Sequence, residues 1–150
     1  MTVRRRFTII PAVHLLFLAD DRVLLARRYN TGYEDGMYSV PAGHLDGEET
    51  VRAAAIREAA EEIGVAVAPD AIGFGHVMHR RAGDGERVDF FFVIERWQGE
   101  PCIAEPDRCD ELQWAHLSHL PPNTVAYVRA GIERTLAGQA FSEFGWSTTP

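Results

Sequence analysis

The sequence predicts a mixed α/β (α+β) sandwich, a sheet covered by helices, on three observations. Strand-like apolar runs fall before, between and after two helical stretches. Glycine, proline and acidic turn signals punctuate them. A chain of 150 residues, 46% hydrophobic and 25% charged, has the composition of one globular domain able to bury a core without disulfides. The domain spans 1–150, with its core at about 7–137 and a C-terminal tail at 138–150.

Taken in order, residues 7–18 (FTIIPAVHLLFL) read as one or two strands, with Pro11 at an edge or a break. Asp20 and Asp21 turn the chain, and 22–28 (RVLLARR) returns as a strand. Residues 30–38 are loop, 39–41 a short strand or its end, and 43–47 loop again. A helix is predicted from 48 to about 63, stopped by Gly64, with 65–67 a strand beyond it. Strands at 74–79 and 87–97 flank a glycine hairpin turn within 81–86. The unbroken apolar run from Phe90 to Ile94 indicates burial on both faces of the second strand. Residues 98–110 form an acidic, proline-bearing loop and 112–116 a short strand. A second helix is predicted from near Pro122 to about Ala137, with proline in its first turn and Gly138 past its end. The tail beyond is either packed through Phe141, Phe144 and Trp146 or loose.

Charge narrows the function classes. The formal net charge is -7, from 22 acidic and 15 basic residues, and every basic residue is arginine. Without lysine, Schiff-base chemistry and a lysine-based phosphate loop are excluded. The acidic excess argues against an extended nucleic-acid surface, which needs positive charge to release counterions. No apolar run reaches membrane-spanning length. A small phosphate ligand remains compatible, because a metal ion can bridge acid to acid. Cys102 and Cys109 are too few for a disulfide framework, so reduced thiols in a cytoplasmic protein are expected. Arg4–Arg6 precede an apolar stretch, but Pro11 and His14 interrupt it and Asp20 and Asp21 follow, which suits a strand and turn better than a signal peptide. The six histidines form no zinc spacing.

The chemistry concentrates in residues 43–65, GHLDGEETVRAAAIREAAEEIGV. On a helical wheel Ala55, Ile56, Ala59 and Ile63 make a core arc, and Glu58, Glu61 and Glu62 share another. Like charges at i, i+4 cost an isolated helix a few tenths of a kcal/mol each, and a solvated face usually interleaves basic residues. Three carboxylates converging on one point make an oxygen-rich site for a hard cation, Mg²⁺ or Mn²⁺. Arg57 beside them can pair with a loop carboxylate such as Glu49 and fasten the loop to the helix, while Gly43 and Gly47 allow close backbone approach. A glutamate cluster alone is usually just a solvated face. Here Gly43, Glu49, Arg57, Glu58, Glu61, Glu62 and Gly64 hold fixed offsets, which chance supplies on the order of 10⁻⁸ per start position.

These offsets resemble the Nudix box, Gly-x5-Glu-x7-Arg-Glu-U-x-Glu-Glu-x-Gly-U with U a bulky aliphatic. Val65 fits the last position. Ala59 is smaller than the pattern asks, and Ala42 stands where many relatives carry glycine. Likeness to MutT-type Nudix hydrolases extends over most of 7–137, through LLARR (24–28), VIERWQGEP (93–101) and EPDRCDELQWAHLSHLPPN (105–123). It implies an α/β/α sandwich with a mixed central sheet and two main helices. It also implies Mg²⁺ (or Mn²⁺) held by Glu58, Glu61, Glu62, Glu105 and the Ala42 carbonyl. Glu58 is then the general base, with Arg57 and Glu61 also in the catalytic set. Arg28, with Arg27 next to it, Gly43, His44 and Asn123 would touch substrate; Asn123 is equally suited to capping a turn. Tyr33, Tyr38, His79 and Phe92 are further aromatic candidates for the pocket, each more often core or rim. The implied reaction splits a nucleoside triphosphate or related nucleotide into monophosphate and pyrophosphate, as in clearance of oxidised nucleotides. Alternatives are an ADP-ribose or nucleotide-sugar pyrophosphatase and, less favoured because every charged box position is kept, a non-catalytic sensor. The expected partner is a small nucleotide, with neither nucleic acid nor membrane, on a monomer or homodimer.

Overall fold

A computed structural model describes residues 3–147. Its elements run β1 (Ile10–Ala19), β2 (Arg22–Arg28), β3 (Tyr38–Ser39), β4 (Ala42–His44), α1 (Val51–Ile63), β5 (Gly73–Ala82), β6 (Gly85–Ile94), β7 (Cys109–His116), α2 (Ala126–Leu136) and β8 (Phe141–Phe144). The strands follow the path β3-β2-β1-β6-β5-β8, with β4 added on β1 and β7 on β2. The β1–β6 and β5–β8 pairs are parallel and the others antiparallel, so the sheet is mixed, as predicted.

Two apolar clusters, one associated with each helix, cover the sheet's two faces. Val13, Leu15 and Phe17 of β1 join Ala55, Ala59 and Ile63 of α1. Leu16 of β1 turns the other way and joins Val128 and Ile132 of α2. The period-2 alternation of a strand thus sends successive apolar residues into different cores, which is why β1 is apolar on both faces apart from the buried His14. Each such Leu or Ile, fully buried, contributes about 1.5–3 kcal/mol. Gly131 of α2 lies against the Phe91 ring, where a β-carbon would overlap it, so the second helix docks closely on β6.

Several boundaries differ from the sequence expectation. β1 is one continuous strand through Pro11, whose carbonyl still accepts from the Leu45 N–H. Residues predicted as loop after Gly43 begin with a strand, because Val13 pairs with Gly43 and Ala12 with His44. The first helix starts at Val51 rather than 48: Gly47 and Glu48 are left-handed, with φ 91° and 55°, and Thr50 caps the helix by accepting from the Ala53 N–H. Residues 65–67 form only one bridge, Ala66 with Gln98. The second helix begins at Ala126, not near Pro122, because residues 121–124 close a turn and the Asn123 carbonyl and Val125 N–H bond the Tyr38 backbone instead of a helical turn. Over its described residues the tail is packed, though not through Phe141, which stays exposed: β8 joins the sheet edge beside β5, and the Trp146 indole donates to the His79 carbonyl.

Candidate functional site

The site is assembled where β4, the loop after it and α1 meet. Gly64 ends α1 in the left-handed conformation at φ 68°, and its N–H satisfies carbonyls of the last turn. Arg57 binds the loop to the helix. Its Nε and Nη2 donate to the two Glu49 oxygens at 3.1 and 2.8 Å, and Nη2 also reaches the His44 carbonyl at 3.2 Å. Its Nη1 donates to Glu58 at 2.8 Å and Glu61 at 3.3 Å. Glu49 in turn accepts from the Asp46 N–H. The anticipated Arg57–Glu49 link is therefore one arm of a wider knot. It holds the Glu49 carboxyl below its ordinary range, the Arg57 fork being the main cause.

Across the knot lie the remaining acids. Glu58 is buried, with its carboxylate against Gly43, where a β-carbon would overlap it. Burial raises its pKa, Arg57 opposes the rise, and Glu61 and Glu105 reinforce it. Glu62 accepts from the Ala42 N–H at 3.0 Å. Burial pushes its pKa up to about 8, with Glu58 and Glu105 adding to the rise and the Ala42 N–H and Arg108 working against it. Glu61 is half exposed, its side chain retaining 51% of its accessible area. Glu105 comes from the distant loop, which is fixed by its backbone carbonyl accepting from the N–H groups of Arg108 and Cys109.

A cleft of about 310 Å³ opens beside this cluster. Of the residues predicted from sequence, Arg27, Arg28, Ala42, Gly43, His44, Glu62 and Glu105 line it. Arg57, Glu58 and Glu61 do not line it, though Glu58 feels the charge of the lining residue Glu105 and is bonded, like Glu61, to Arg57. Asn123 does not line it; its Nδ2 donates to the Gly36 carbonyl and ties two loops together. Neither do Tyr33, Tyr38, His79 or Phe92: Tyr38 and Phe92 pack into the two cores, and His79 bonds Glu86. Arg108, Cys109, Thr31 and Ser39 line the cleft without a prior sequence signal.

The convergence read from the helical wheel needs one correction. Among the described residues no three His, Cys, Asp or Glu side chains close around a single point. Glu58 and Glu61 are turned onto Arg57, and Glu62 onto the Ala42 amide. The donor chemistry nonetheless fits a hard divalent cation. Four carboxylates interact unfavourably across a short span, two with raised pKa, and a dication beside them relieves that repulsion.

The NUDIX domain model matches residues 8–136, and the chain belongs to that family. The NAD-capped RNA hydrolase NudC of Pseudomonas aeruginosa is 30% identical over 112 residues, 75% of this chain and 38% of that protein. The chain thus matches well under half the length of that relative. The 8-oxo-dGTP diphosphatase of Escherichia coli is 26% identical over 90 residues, 60% of this chain and 68% of that protein. Among solved structures, a MutT NUDIX hydrolase from Burkholderia pseudomallei superposes with a TM-score of 0.78 at 28% identity, covering 85% of this chain and 98% of that one. The mixed sheet with two helices is accordingly the MutT-like Nudix fold. No helix among the described residues is long and apolar enough to cross a membrane.

Proposed function

We propose that this protein is a divalent-metal-dependent hydrolase that cleaves the diphosphate linkage of a nucleoside triphosphate or related nucleotide, releasing monophosphate and pyrophosphate. The observation that carries the reading is the coupled set Glu58, Glu61, Glu62 and Glu105 beside a cleft edged by arginines. A net-acidic chain without lysine has few cations of its own to offset a polyphosphate.

In this reading Glu58, Glu61, Glu62, Glu105 and the Ala42 carbonyl hold Mg²⁺, or Mn²⁺ in its place. The bound ion supplies Lewis-acid polarisation of phosphoryl oxygens and lowers the pKa of water. Glu58 would accept the proton of the attacking water on its carboxylate, whose pKa burial raises in the metal-free site. Arg57 keeps that carboxylate and the 45–49 loop in place. Arg27, Arg28, Gly43 and His44 border the substrate. Asn123, tied to Gly36 and outside the cleft lining, would contact a base only by moving.

A second reading has its own support. The NudC relative is named for NAD-capped RNA, so a nucleotide diphosphate attached to an RNA end is a competing substrate class. The deciding experiment is turnover with Mg²⁺ over triphosphates, 8-oxo-dGTP, ADP-ribose, nucleotide sugars and NAD-capped RNA, with products resolved chromatographically. Monophosphate and pyrophosphate from triphosphates support the first reading. Faster turnover of ADP-ribose or capped RNA displaces it, and no turnover of any of them leaves a sensor.

A further inference from the structure

Three arginines reach the cleft, and they differ in what else they do. Arg27 donates to both Asp110 oxygens at 2.8 and 3.1 Å and lies 3.1 Å from a Glu111 oxygen, so two carboxylates already offset its charge. These bonds clamp β2 onto β7, where Arg27 pairs with Glu111. Arg28 donates to the Tyr33 carbonyl at 2.7 Å and to the Thr31 hydroxyl at 3.1 Å, which shapes the loop after β2. Arg108 is exposed, and among the described residues its guanidinium makes no hydrogen bond or ion pair.

The Arg108 backbone, by contrast, is fixed on both sides. Its N–H donates to the Glu105 carbonyl at 3.0 Å, and its carbonyl accepts from the Tyr29 N–H at 3.0 Å. A loop anchored this way presents the guanidinium at the cleft from a defined origin. Its charge is felt by Glu62, whose carboxyl it draws downward, while among the described residues no carboxylate bonds it, so it stands beside the acids without being consumed by them. A planar, permanently charged fork with all its donors open is suited to two oxygens of one phosphoryl group.

We propose that Arg108 is a substrate-binding residue that takes phosphoryl oxygens of a pyrophosphate or polyphosphate group, and that Arg27 is a positioning residue which fixes β2 on β7. The assignment rests on the hydrolase reading above for its substrate and deepens it. No charge in the cleft has to be stripped from an internal partner before Arg108 engages the ligand, whereas Arg27 must first leave Asp110.

The test is calorimetric titration of the intact protein with Mg²⁺ and inorganic pyrophosphate, and with an α,β-methylene nucleoside triphosphate. Variants are Arg108→Ala, Arg108→Lys and, as a charge control outside the cleft lining, Arg96→Ala. Arg108→Ala is expected to weaken both ligands by about tenfold to a hundredfold, as for loss of a hydrogen-bonded charge. Lysine should recover only part of this, and Arg96→Ala should stay within about twofold, since a screened surface charge contributes little. Titration with Mg²⁺ alone should be nearly unchanged in Arg108→Ala, and in turnover KM should rise more than kcat falls. Pyrophosphate binding equal to wild type in Arg108→Ala, or no pyrophosphate binding by the wild type, overturns the assignment. Wild-type binding that depends on Arg108 without turnover of any nucleotide sinks the hydrolase reading alone.

Discussion

Gly43 lies directly against the Glu58 carboxylate, in space that a β-carbon would occupy. The strand that carries Gly43 is pinned to Val13 of β1, so the backbone has little freedom to retreat. Gly43→Ala must therefore push Glu58 off Arg57. We expect kcat to fall by about tenfold to a hundredfold, the scale on which a misplacement near 1 Å acts, with little change in melting temperature. Unchanged kcat in a folded Gly43→Ala protein would show that the placement of Glu58 is not critical.

Arg57 offers a sharper contrast between charge and shape. Its fork contacts Glu49, Glu58, Glu61 and the His44 carbonyl at once. A lysine keeps the charge but not the planar spread of donors. Arg57→Lys should consequently lose activity nearly as fully as Arg57→Ala, about tenfold or more in kcat/KM. Limited proteolysis should cut the 45–50 loop faster in both. A fully active lysine variant would mean that charge alone holds the site.

The box residues were legible because a helix imposes fixed angular spacing, and that places Glu58, Glu61 and Glu62 without knowledge of the rest of the fold. Long-range partners were less accessible. Propensity extends α1 back to Glu48 and Glu49, while the left-handed Gly47 and Glu48 and the Glu49–Arg57 bond keep them outside it. Residues 123–125 read as helix start until Tyr38, some 85 residues away, claims their backbone. β8 depends in the same way on β5 and on His76, whose ring bonds the Gln139 carbonyl and the Ser142 hydroxyl. Arg108 carried no local pattern, since its distinction is the lack of a side-chain partner among the described residues, and that exists only in three dimensions.

Acid stability should depend on His14. This residue is fully buried, stacked on Phe91 with ring centroids 4.7 Å apart, and its Nδ1 has no hydrogen-bond partner among the described residues. Burial lowers its pKa to about 4, against the partial support of Asp89. The unfolded chain therefore binds the proton first as pH falls from 6.5 towards 4, and folding stability drops across that window by up to about 3 kcal/mol. His14→Phe removes this titration. It lowers stability at neutral pH by losing the Tyr127 bond, but flattens the dependence between pH 4 and 6.5 by about one proton. Chemical denaturation across that range measures the slope, and an identical slope in the variant would remove His14 as the cause.

Glu62 titrates in the opposite sense. Its folded pKa of about 8 lies above its ordinary value of 4.5, so the metal-free fold favours the protonated acid. The associated stability is complete below pH 4.5 and is lost as pH rises through about 8. Glu62→Gln keeps an oxygen for the Ala42 N–H while removing the charge that burial, Glu58 and Glu105 oppose. Without metal, the variant should melt higher than wild type at pH 8, by a few degrees, and equally at pH 4. Added Mg²⁺ should raise the wild-type melting temperature at pH 8 more than the variant's, because the ion binds the native carboxylates and not the unfolded chain. In turnover Glu62→Gln should lose most of kcat while remaining folded. A variant that melts lower than wild type at pH 8 and responds equally to Mg²⁺ would place the cation elsewhere, since neither the repulsion nor its relief would then pass through this side chain.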